Sequence, residues 1–245
     1  MDETTSAALE LIDVVKGFGS GSTAVRALNG VSLRIEPGEL VAVMGPSGCG
    51  KSTLLHLAGA MDEPSAGRVL VQGRDLGDLG VTERATLRRT VVGYVFQRLN
   101  LLASLTAVEN VALPLELDGA GVRQARRRAV DALGAVGITE SIDRYPDDFS
   151  GGEQQRIAIA RAIVGERALL LADEPTGALD TATGDGVIEL IASLPERFGT
   201  AVVLVTHEPR FASWADRVVF MRDGRIVDQT SPLVGIAPMS VAVAP

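Results

Sequence analysis

The segment Gly45–Thr53 combines glycines, a lysine and hydroxyl side chains in the spacing G-x-x-x-x-G-K-[ST]. Glycines let the backbone curl so that successive N–H groups point at one anion, which makes such a loop a cradle for phosphates. We expect Lys51 to reach the β- and γ-phosphates of a nucleotide, and the Ser52 hydroxyl to bind Mg²⁺. A glycine-rich turn without a ligand is the alternative. The loop residues predicted to contact the nucleotide are Gly45, Ser47, Gly48, Cys49, Gly50, Lys51, Ser52 and Thr53.

The sequence on either side of this loop favours phosphate binding. Leu40–Met44 is a short apolar run typical of a buried parallel strand, and it leads directly into the loop. A helix predicted over Thr53–Ala60 follows, and it would direct its positive end at the phosphates. Lys51 and Lys16 are the only lysines of the chain, and arginine supplies nearly all other positive charge. The use of lysine at position 51 therefore favours a site where a compact ammonium must fit against phosphate oxygens.

Further apolar runs also end in polar side chains. These runs are Thr90–Phe96, ending at Gln97; Ala168–Ala172, ending at Asp173 and Glu174; and Ala201–Thr206, ending at His207. In open α/β sheets, ligands collect at the carboxyl ends of the strands. If these runs are strands of one parallel sheet, their polar ends and the phosphate loop converge on one site.

The chemistry of these side chains predicts phosphoryl transfer to water. Asp173 is expected to hold Mg²⁺ together with Ser52, directly or through water. Glu174 can orient or deprotonate the attacking water, and Gln97 can sense the ion and that water. His207 can contact the γ-phosphate as a neutral or a charged donor. Positioning and electrostatics dominate such a reaction.

A second helix start carries glycines and a hydroxyl. Ser150 and Glu153 have the spacing of a capping box, which predicts a helix through Val164. Gly151 and Gly152 beside the Ser150 hydroxyl would also make this helix start a second anion site. A capped helix without a ligand is the simpler interpretation, and the two are compatible.

The remaining segments predict the elements that must position these groups. Strands are expected over residues 9–18, 27–39 and 68–72, and together they suggest an antiparallel β-layer beside the nucleotide site. Phe18 in this layer could stack on an adenine face or belong to the core of the layer. From residue 98 to residue 164 the pattern changes to helices, one of which begins at a capping box formed by Thr106 and Glu109.

Composition excludes some classes of protein. The 245 residues carry a formal net charge of −8, which argues against a nucleic-acid binder, because such proteins need a basic face. The single cysteine, Cys49, allows no intrachain disulfide and fits a reducing compartment.

No signal peptide and no apolar run of membrane-spanning length is visible, so we expect any membrane connection to come through a partner. The apolar segment Pro232–Pro245 is interpreted as an irregular or docked extension.

Taken together, these motifs resemble the ATP-binding subunit of an ABC transporter from end to end. The matching segments in chain order are Phe18 (A-loop), Gly45–Ser52 (Walker A), Gln97 (Q-loop), Ser150–Gln154 (signature), Leu169–Glu174 (Walker B), Gly177–Asp180 (D-loop) and His207 (H-loop). The resemblance implies an α/β P-loop NTPase of ABC ATPase type, with a mostly parallel core sheet, an antiparallel β-subdomain and a helical subdomain. It also implies one domain over residues 1–230, in which 1–97 and 166–230 form the core and 98–165 the helical signature subdomain, followed by a tail over 231–245.

The resemblance further implies how the site works. It assigns catalytic roles to Glu174, His207, Gln97 and Lys51, metal binding to Ser52, Gln97 and Asp173, and nucleotide contacts to Phe18, Ser150, Gly151, Gly152 and Asp180. ATP and Mg²⁺ are the implied cofactors. In the family, the signature of one subunit caps the nucleotide held by the Walker loop of the other, so a homodimer around two ATP is implied. The dimer would sit on the cytoplasmic face of the membrane, bound to an integral-membrane permease.

The chain departs from the family pattern at three motif positions. Phe149 replaces the usual Leu before the signature and could alter packing under the signature helix, Glu153 replaces Gln, and Phe18 replaces the usual Tyr. No catalytic position is substituted, so the departures do not put hydrolysis in doubt.

Four segments are similar to the lipoprotein-release, macrolide-export and cell-division (MacB-like) branch, namely Gln97–Leu102, Leu105–Val111, Ser150–Arg156 and Ala172–Gly177. The resemblance leaves an amino-acid-type importer subunit and a non-transport ABC ATPase as alternatives. A GTPase-type switch is disfavoured because the sequence has no N-K-x-D motif to recognise the base. A chromosome-structure ATPase is disfavoured because the sequence has no long heptad run for coiled coils between the Walker motifs.

Overall fold

The computed structural model describes residues 6–19 and 24–230, so the predicted tail from Pro232 lies outside the described residues. The strands are β1 Leu9–Phe18, β2 Val25–Ile35, β3 Leu40–Met44, β4 Ala66–Val71, β5 Arg74–Asp75, β6 Val92–Val95, β7 Leu169–Asp173, β8 Ala201–Val205, β9 Arg217–Arg222 and β10 Arg225–Thr230. The helices are α1 Lys51–Ala58, α2 Val81–Thr90, α3 Ala107–Leu117, α4 Val122–Ala135, α5 Gly151–Ile163, α6 Thr181–Phe198 and α7 Pro209–Ala212.

The central sheet has the strand order β10-β9-β3-β8-β7-β6. All neighbouring pairs from β9 to β6 are parallel, and β10 pairs antiparallel with β9 across a turn at Asp223-Gly224. Both faces of this sheet are covered, which is why its inner strands are apolar throughout. Val203 and Val205 of β8 pack on one face, in one hydrophobic cluster, while Val202 and Leu204 pack in a second cluster on the other face.

The second sheet confirms the predicted antiparallel layer. Its strand order is β2-β1-β4-β5, and β1 pairs antiparallel with both β2 and β4. Alternation in β2 places Val31, Leu33 and Ile35 in the core, with polar residues between them facing outward. The layer packs against α1, and both contribute to the hydrophobic cluster that contains Val203 and Val205.

Helices α3, α4 and α5 pack together on the other side of the central sheet. Both predicted capping boxes are confirmed: the side chain of Thr106 caps α3, and that of Ser150 caps α5. Among the described residues, no helix combines the length and the apolar character needed to cross a membrane.

Some predicted boundaries were wrong by a few residues. Helix α1 begins at Lys51 rather than Thr53, because Gly50 in a left-handed conformation ends the loop and its carbonyl already accepts from Leu54 N–H at 2.9 Å. Thr90 closes α2 instead of opening β6, since its hydroxyl donates to the Thr86 carbonyl one turn back. The sequence pattern also predicts a helix at Trp214, but Trp214 lies in the turn that follows α7.

Candidate functional site

The phosphate loop joins β3 to α1 and is tightly enclosed by backbone. A Cβ on Gly45 would lie 2.2 Å from the carbonyl oxygen of Met221, and a Cβ on Gly50 would lie 2.4 Å from that of Ala27. Gly50 also has a φ of +108°, which side chains rarely adopt. Only glycine fits at these two positions, so neighbouring strands fix the shape of the loop.

Lys51 extends back into this loop rather than into solvent. Its side chain is buried at 7% exposure, and Nζ donates to the carbonyl oxygens of Gly45 at 2.8 Å and Pro46 at 3.0 Å. Cys49 Sγ, also buried, lies 3.9 Å from Nζ. The ammonium is therefore held at the mouth of the loop, where a phosphate would meet it.

Asp173 and Ser52 bring two oxygen ligands together beside the loop. Asp173 ends β7 at 8% exposure, and burial raises the pKa of its carboxyl, while a hydrogen bond with Ser52 acts in the opposite direction. A carboxylate and a hydroxyl are ligands of the hard-oxygen type that Mg²⁺ prefers. Among the described residues no group of three or more His, Cys, Asp or Glu could enclose an ion, so phosphates and water would have to complete the shell.

Glu174 lies at the centre of the polar strand ends. Gln97 Nε2 donates to Glu174 Oε2 at 3.1 Å, and His207 Nδ1 lies 3.5 Å from Glu174 Oε1. The backbone of Glu174 is left-handed, with a φ of 45°, and its N–H donates to the Val205 carbonyl at 3.0 Å. A non-glycine residue in this conformation carries strain, and such strain concentrates at functional sites. The structure thus joins side chains from the ends of β6, β7 and β8 at one carboxylate.

Phe18 ends β1 and is 47% exposed. The Lys16 ammonium lies 5.0 Å from the ring centroid and pairs with Asp62 at 2.6 Å. The ring is therefore outside the core of the β-layer and accessible to a flat ligand. Stacking on adenine stays a prediction.

The signature segment forms its own hydrogen bonds. Ser150 Oγ donates to Glu153 Oε2 at 2.6 Å, which lowers the pKa of Glu153, and Glu153 N–H donates back to Ser150 Oγ at 3.4 Å. Asp180 caps α6 by accepting a hydrogen bond from the Thr183 N–H. The Thr183 methyl group also packs against Gly152, since a Cβ on Gly152 would lie only 2.2 Å from it. The side chains of Ser150 and Asp180 thus form hydrogen bonds within the first turns of their own helices. No described hydrogen bond joins either side chain to the phosphate loop.

The sequence interpretation missed a cavity of about 330 Å³ beside β6, which we call the edge cavity. Its lining includes Met61, Phe96 and Pro114 together with the arginines Arg88, Arg161 and Arg167. These residues come from separate parts of the chain, so no local motif could have revealed them.

Comparison with known proteins places this geometry in a family. The profile of the ABC transporter family matches residues 28–177. The macrolide export ATP-binding/permease protein MacB of Hyphomonas neptunium is 44% identical over 222 residues, 91% of this chain and 34% of that protein. The lipoprotein-releasing system ATP-binding protein LolD of Geobacter metallireducens is 45% identical over 91% of this chain and 99% of its own length. The chain thus spans about a third of the MacB relatives and nearly all of LolD.

Solved structures of similar proteins support the same family assignment. The dimeric bacterial ABC transporter cassette MJ0796 superposes with a TM-score of 0.85 at 39% identity, covering 93% of this chain and all of that one. A dimer of the same cassette after hydrolysis, bound to ADP and Pi, gives the same TM-score at 38% identity. The described fold is an ABC ATPase cassette, and the chain belongs to the ABC transporter family.

Proposed function

We propose that this chain is an ATP-binding and ATP-hydrolysing subunit that dimerises around two ATP and drives a separate membrane permease of the MacB-like type. The contact of Gln97 and His207 with the Glu174 carboxylate carries the proposal. That carboxylate follows Asp173 directly, so the group that would hold the metal and the group that would act on water are adjacent.

The chain's own residues account for hydrolysis. Lys51 and the loop N–H groups bind and orient the phosphates, and Ser52 and Asp173 would hold Mg²⁺, which neutralises phosphate charge when bound. The proposed role of Glu174 is to orient the attacking water and accept its proton. Gln97 and His207 fix the two carboxylate oxygens, so that the acceptor is already in place before the water arrives.

Dimerisation explains the second anion-binding helix start. Among the described residues, no hydrogen bond joins Ser150 or Gly152 to the phosphate loop of the same chain, and they would serve the nucleotide held by a partner copy. The related cassette MJ0796 is a dimer in two solved states, one of them with ADP and Pi. Each copy would then supply Lys51 and Glu174 to one ATP and Ser150 to the other.

Names of the relatives support a membrane partner. LolD is named an ATP-binding protein of a lipoprotein-releasing system, and MacB is named an ATP-binding and permease protein. Since the name of MacB joins an ATP-binding and a permease function, we propose that this chain also works with a permease. The subunit would lie on the cytoplasmic face of the membrane, attached through that permease.

Replacing Glu174 with Gln tests the proposal. Glu174→Gln keeps the size of the side chain but removes the proton acceptor, so ATP hydrolysis should fall by about 10²-fold or more. ATP-dependent dimers should persist, and size-exclusion chromatography with light scattering measures them. Turnover close to wild type would contradict the assigned role.

Glu166 supplies a matched control. It is also a glutamate in the left-handed conformation, with a φ of 60°, but its side chain is exposed and lies away from the site. Glu166→Gln should leave hydrolysis unchanged, which would show that loss in Glu174→Gln does not come from the backbone position alone.

A further inference from the structure

The Glu153 carboxylate accepts hydrogen bonds from both donors of Ser150. Glu153 Oε2 accepts from the Ser150 hydroxyl at 2.6 Å and from the Ser150 N–H at 2.8 Å. These two bonds, and to a smaller extent the charge of Arg144, lower the pKa of Glu153, so its carboxylate is ionised at neutral pH. A hydrogen bond to an ionised acceptor is about twice as strong as one between neutral groups. Ser150 is therefore held firmly within its own chain.

The Ser150 hydroxyl has a single proton to donate. Carboxylate and phosphate oxygens act as acceptors, so a proton donated to Glu153 is not available to a phosphate. Both residues are exposed, and a nucleotide held by a partner copy would therefore meet them directly. It would meet a hydroxyl that already donates to an anion of its own helix.

We propose that Glu153 is a positioning residue that restrains Ser150, because its carboxylate keeps the hydroxyl from the partner's nucleotide until a γ-phosphate displaces it. This inference rests on the proposed function, in which Ser150 contacts the nucleotide of a partner copy. ADP has no γ-phosphate to compete for the hydroxyl, so only ATP releases the restraint. Glu153 thus weakens the ATP-bound dimer and favours its separation after hydrolysis.

A polar cavity of about 340 Å³ beside the start of α5 gives the displaced carboxylate a second position. Glu153 and Arg144 both line this cavity, and the positive charge of Arg144 already acts on the Glu153 carboxylate. A carboxylate that releases Ser150 pairs with Arg144 on the other side of the cavity. The charge of Glu153 is then compensated in both positions.

Helix α3 supplies the same capping box without a proposed role in nucleotide binding. Glu109 Oε2 accepts from the Thr106 N–H and from the Thr106 hydroxyl, both at 2.8 Å, and these bonds lower the pKa of Glu109. Glutamine also completes a capping box at this position. Glu109→Gln and Glu153→Gln should therefore have similar effects on helix stability, and a difference in dimerisation must come from the partner contact.

Glu153→Gln tests the restraint by a gain in affinity, which damage to the fold does not produce. In the Glu174→Gln background, where ATP should persist, the ATP-dependent dimer should become about tenfold tighter, since roughly threefold at each of two equivalent sites multiplies. Analytical ultracentrifugation measures the dissociation constant. Glu109→Gln should change it by less than about twofold, and Glu153→Gln should give no tightening with ADP.

Two results of this measurement would overturn the proposal. The first is an ATP-dependent dimer of Glu153→Gln that is no tighter than that of the parent. The second is equal tightening in Glu153→Gln and Glu109→Gln, because that gain would come from the capping chemistry alone. Urea denaturation shows that each variant is folded.

A double variant determines whether Glu153 acts through Ser150. In Ser150→Ala no hydroxyl remains to be released, so adding Glu153→Gln should change the dimer dissociation constant by less than about twofold. If Glu153→Gln tightens the Ser150→Ala dimer by the full tenfold, the carboxylate acts by its charge alone and the restraint of Ser150 is wrong.

Arg144→Met tests the second position of the carboxylate. It should weaken the ATP-dependent dimer about threefold when Glu153 is present and leave the dimer of Glu153→Gln unchanged, since only a carboxylate needs the cation. An equal effect in both backgrounds would show that Arg144 does not receive the carboxylate.

Failure of this proposal is distinguishable from failure of the proposed function. If Ser150→Ala weakens the ATP-dependent dimer but Glu153→Gln does not tighten it, the shared site stands and the restraint is wrong. If Ser150→Ala leaves the dimer unchanged, Ser150 contacts no partner nucleotide, and both the shared site and the restraint are wrong.

Discussion

At the scale of single residues, the two lysines of the chain have different surroundings. Lys51 is buried in the phosphate loop, where Nζ donates to two neutral carbonyl oxygens and lies 3.9 Å from the Cys49 sulfur, whereas Lys16 pairs with the Asp62 carboxylate at 2.6 Å. An ion pair is satisfied by any cation that reaches the acid. A cation enclosed by loop carbonyls must instead match the space, so the two positions should differ in their tolerance of arginine.

Lys51→Arg and Lys16→Arg make this difference measurable. The guanidinium is broader than the ammonium, so at position 51 it should displace the phosphates and lower steady-state ATP hydrolysis by about 10²-fold or more. Lys16→Arg keeps its ion pair and should change hydrolysis by less than about twofold. Equal tolerance at both positions would show that the phosphate loop does not depend on a compact ammonium.

At the scale of secondary-structure elements, α3 and α5 begin with the same capping box. In α3, Thr106 Oγ1 donates to Glu109 Oε2 at 2.8 Å; in α5, Ser150 Oγ donates to Glu153 Oε2 at 2.6 Å. In each box the glutamate N–H donates back to the hydroxyl at 3.4 Å. The two hydroxyls do the same structural work, so any difference between them in function must come from outside the helix.

Thr106→Ala and Ser150→Ala separate capping from nucleotide binding. Each should lower the free energy of unfolding by about 1 kcal/mol through loss of the cap, as measured by urea denaturation. Only Ser150→Ala should also weaken the ATP-dependent dimer, measured in the Glu174→Gln background, where ATP is not consumed. If both variants dimerise equally well, Ser150 is only a helix cap.

The elements differ in how far the sequence could predict them. Strand β7 was predictable because its apolar run is too short for a helix and ends at two carboxylates, and the two capping boxes were predictable because their hydrogen bonds are local. The start of α1 was missed by two residues, since it depends on the left-handed conformation of Gly50. The contact of Gln97 with Glu174 could be expected only in outline, because strand order rather than local sequence brings the two together.

The edge cavity could not be predicted at all. Arg88, Arg161 and Arg167 look like ordinary surface arginines in the sequence, and α2, α5 and the segment before β7 bring them together only in the folded chain. Whether a cation finds an acidic partner depends on long-range packing, on which local patterns carry no information.

At the scale of the whole molecule, the residues that we propose to contact nucleotide fall into two groups with no described hydrogen bond between them. Lys51, Asp173 and Glu174 lie at the carboxyl edge of the central sheet, whereas Ser150 begins a helix with no described hydrogen bond to that edge. A homodimer with twofold symmetry would join each half to the complementary half of the other copy. Defects in different halves should therefore complement each other when two variants are mixed.

Mixing Lys51→Arg with Ser150→Ala tests this sharing directly. A mixed dimer contains one site with both defects and one complete site, so the mixture should recover roughly a quarter of wild-type hydrolysis, since half of the dimers are mixed. Mixing Lys51→Arg with Glu174→Gln is the control: both defects lie in the same half, every site stays incomplete, and no activity should return. If the first mixture is as inactive as the second, each chain hydrolyses ATP alone and the shared-site dimer is wrong.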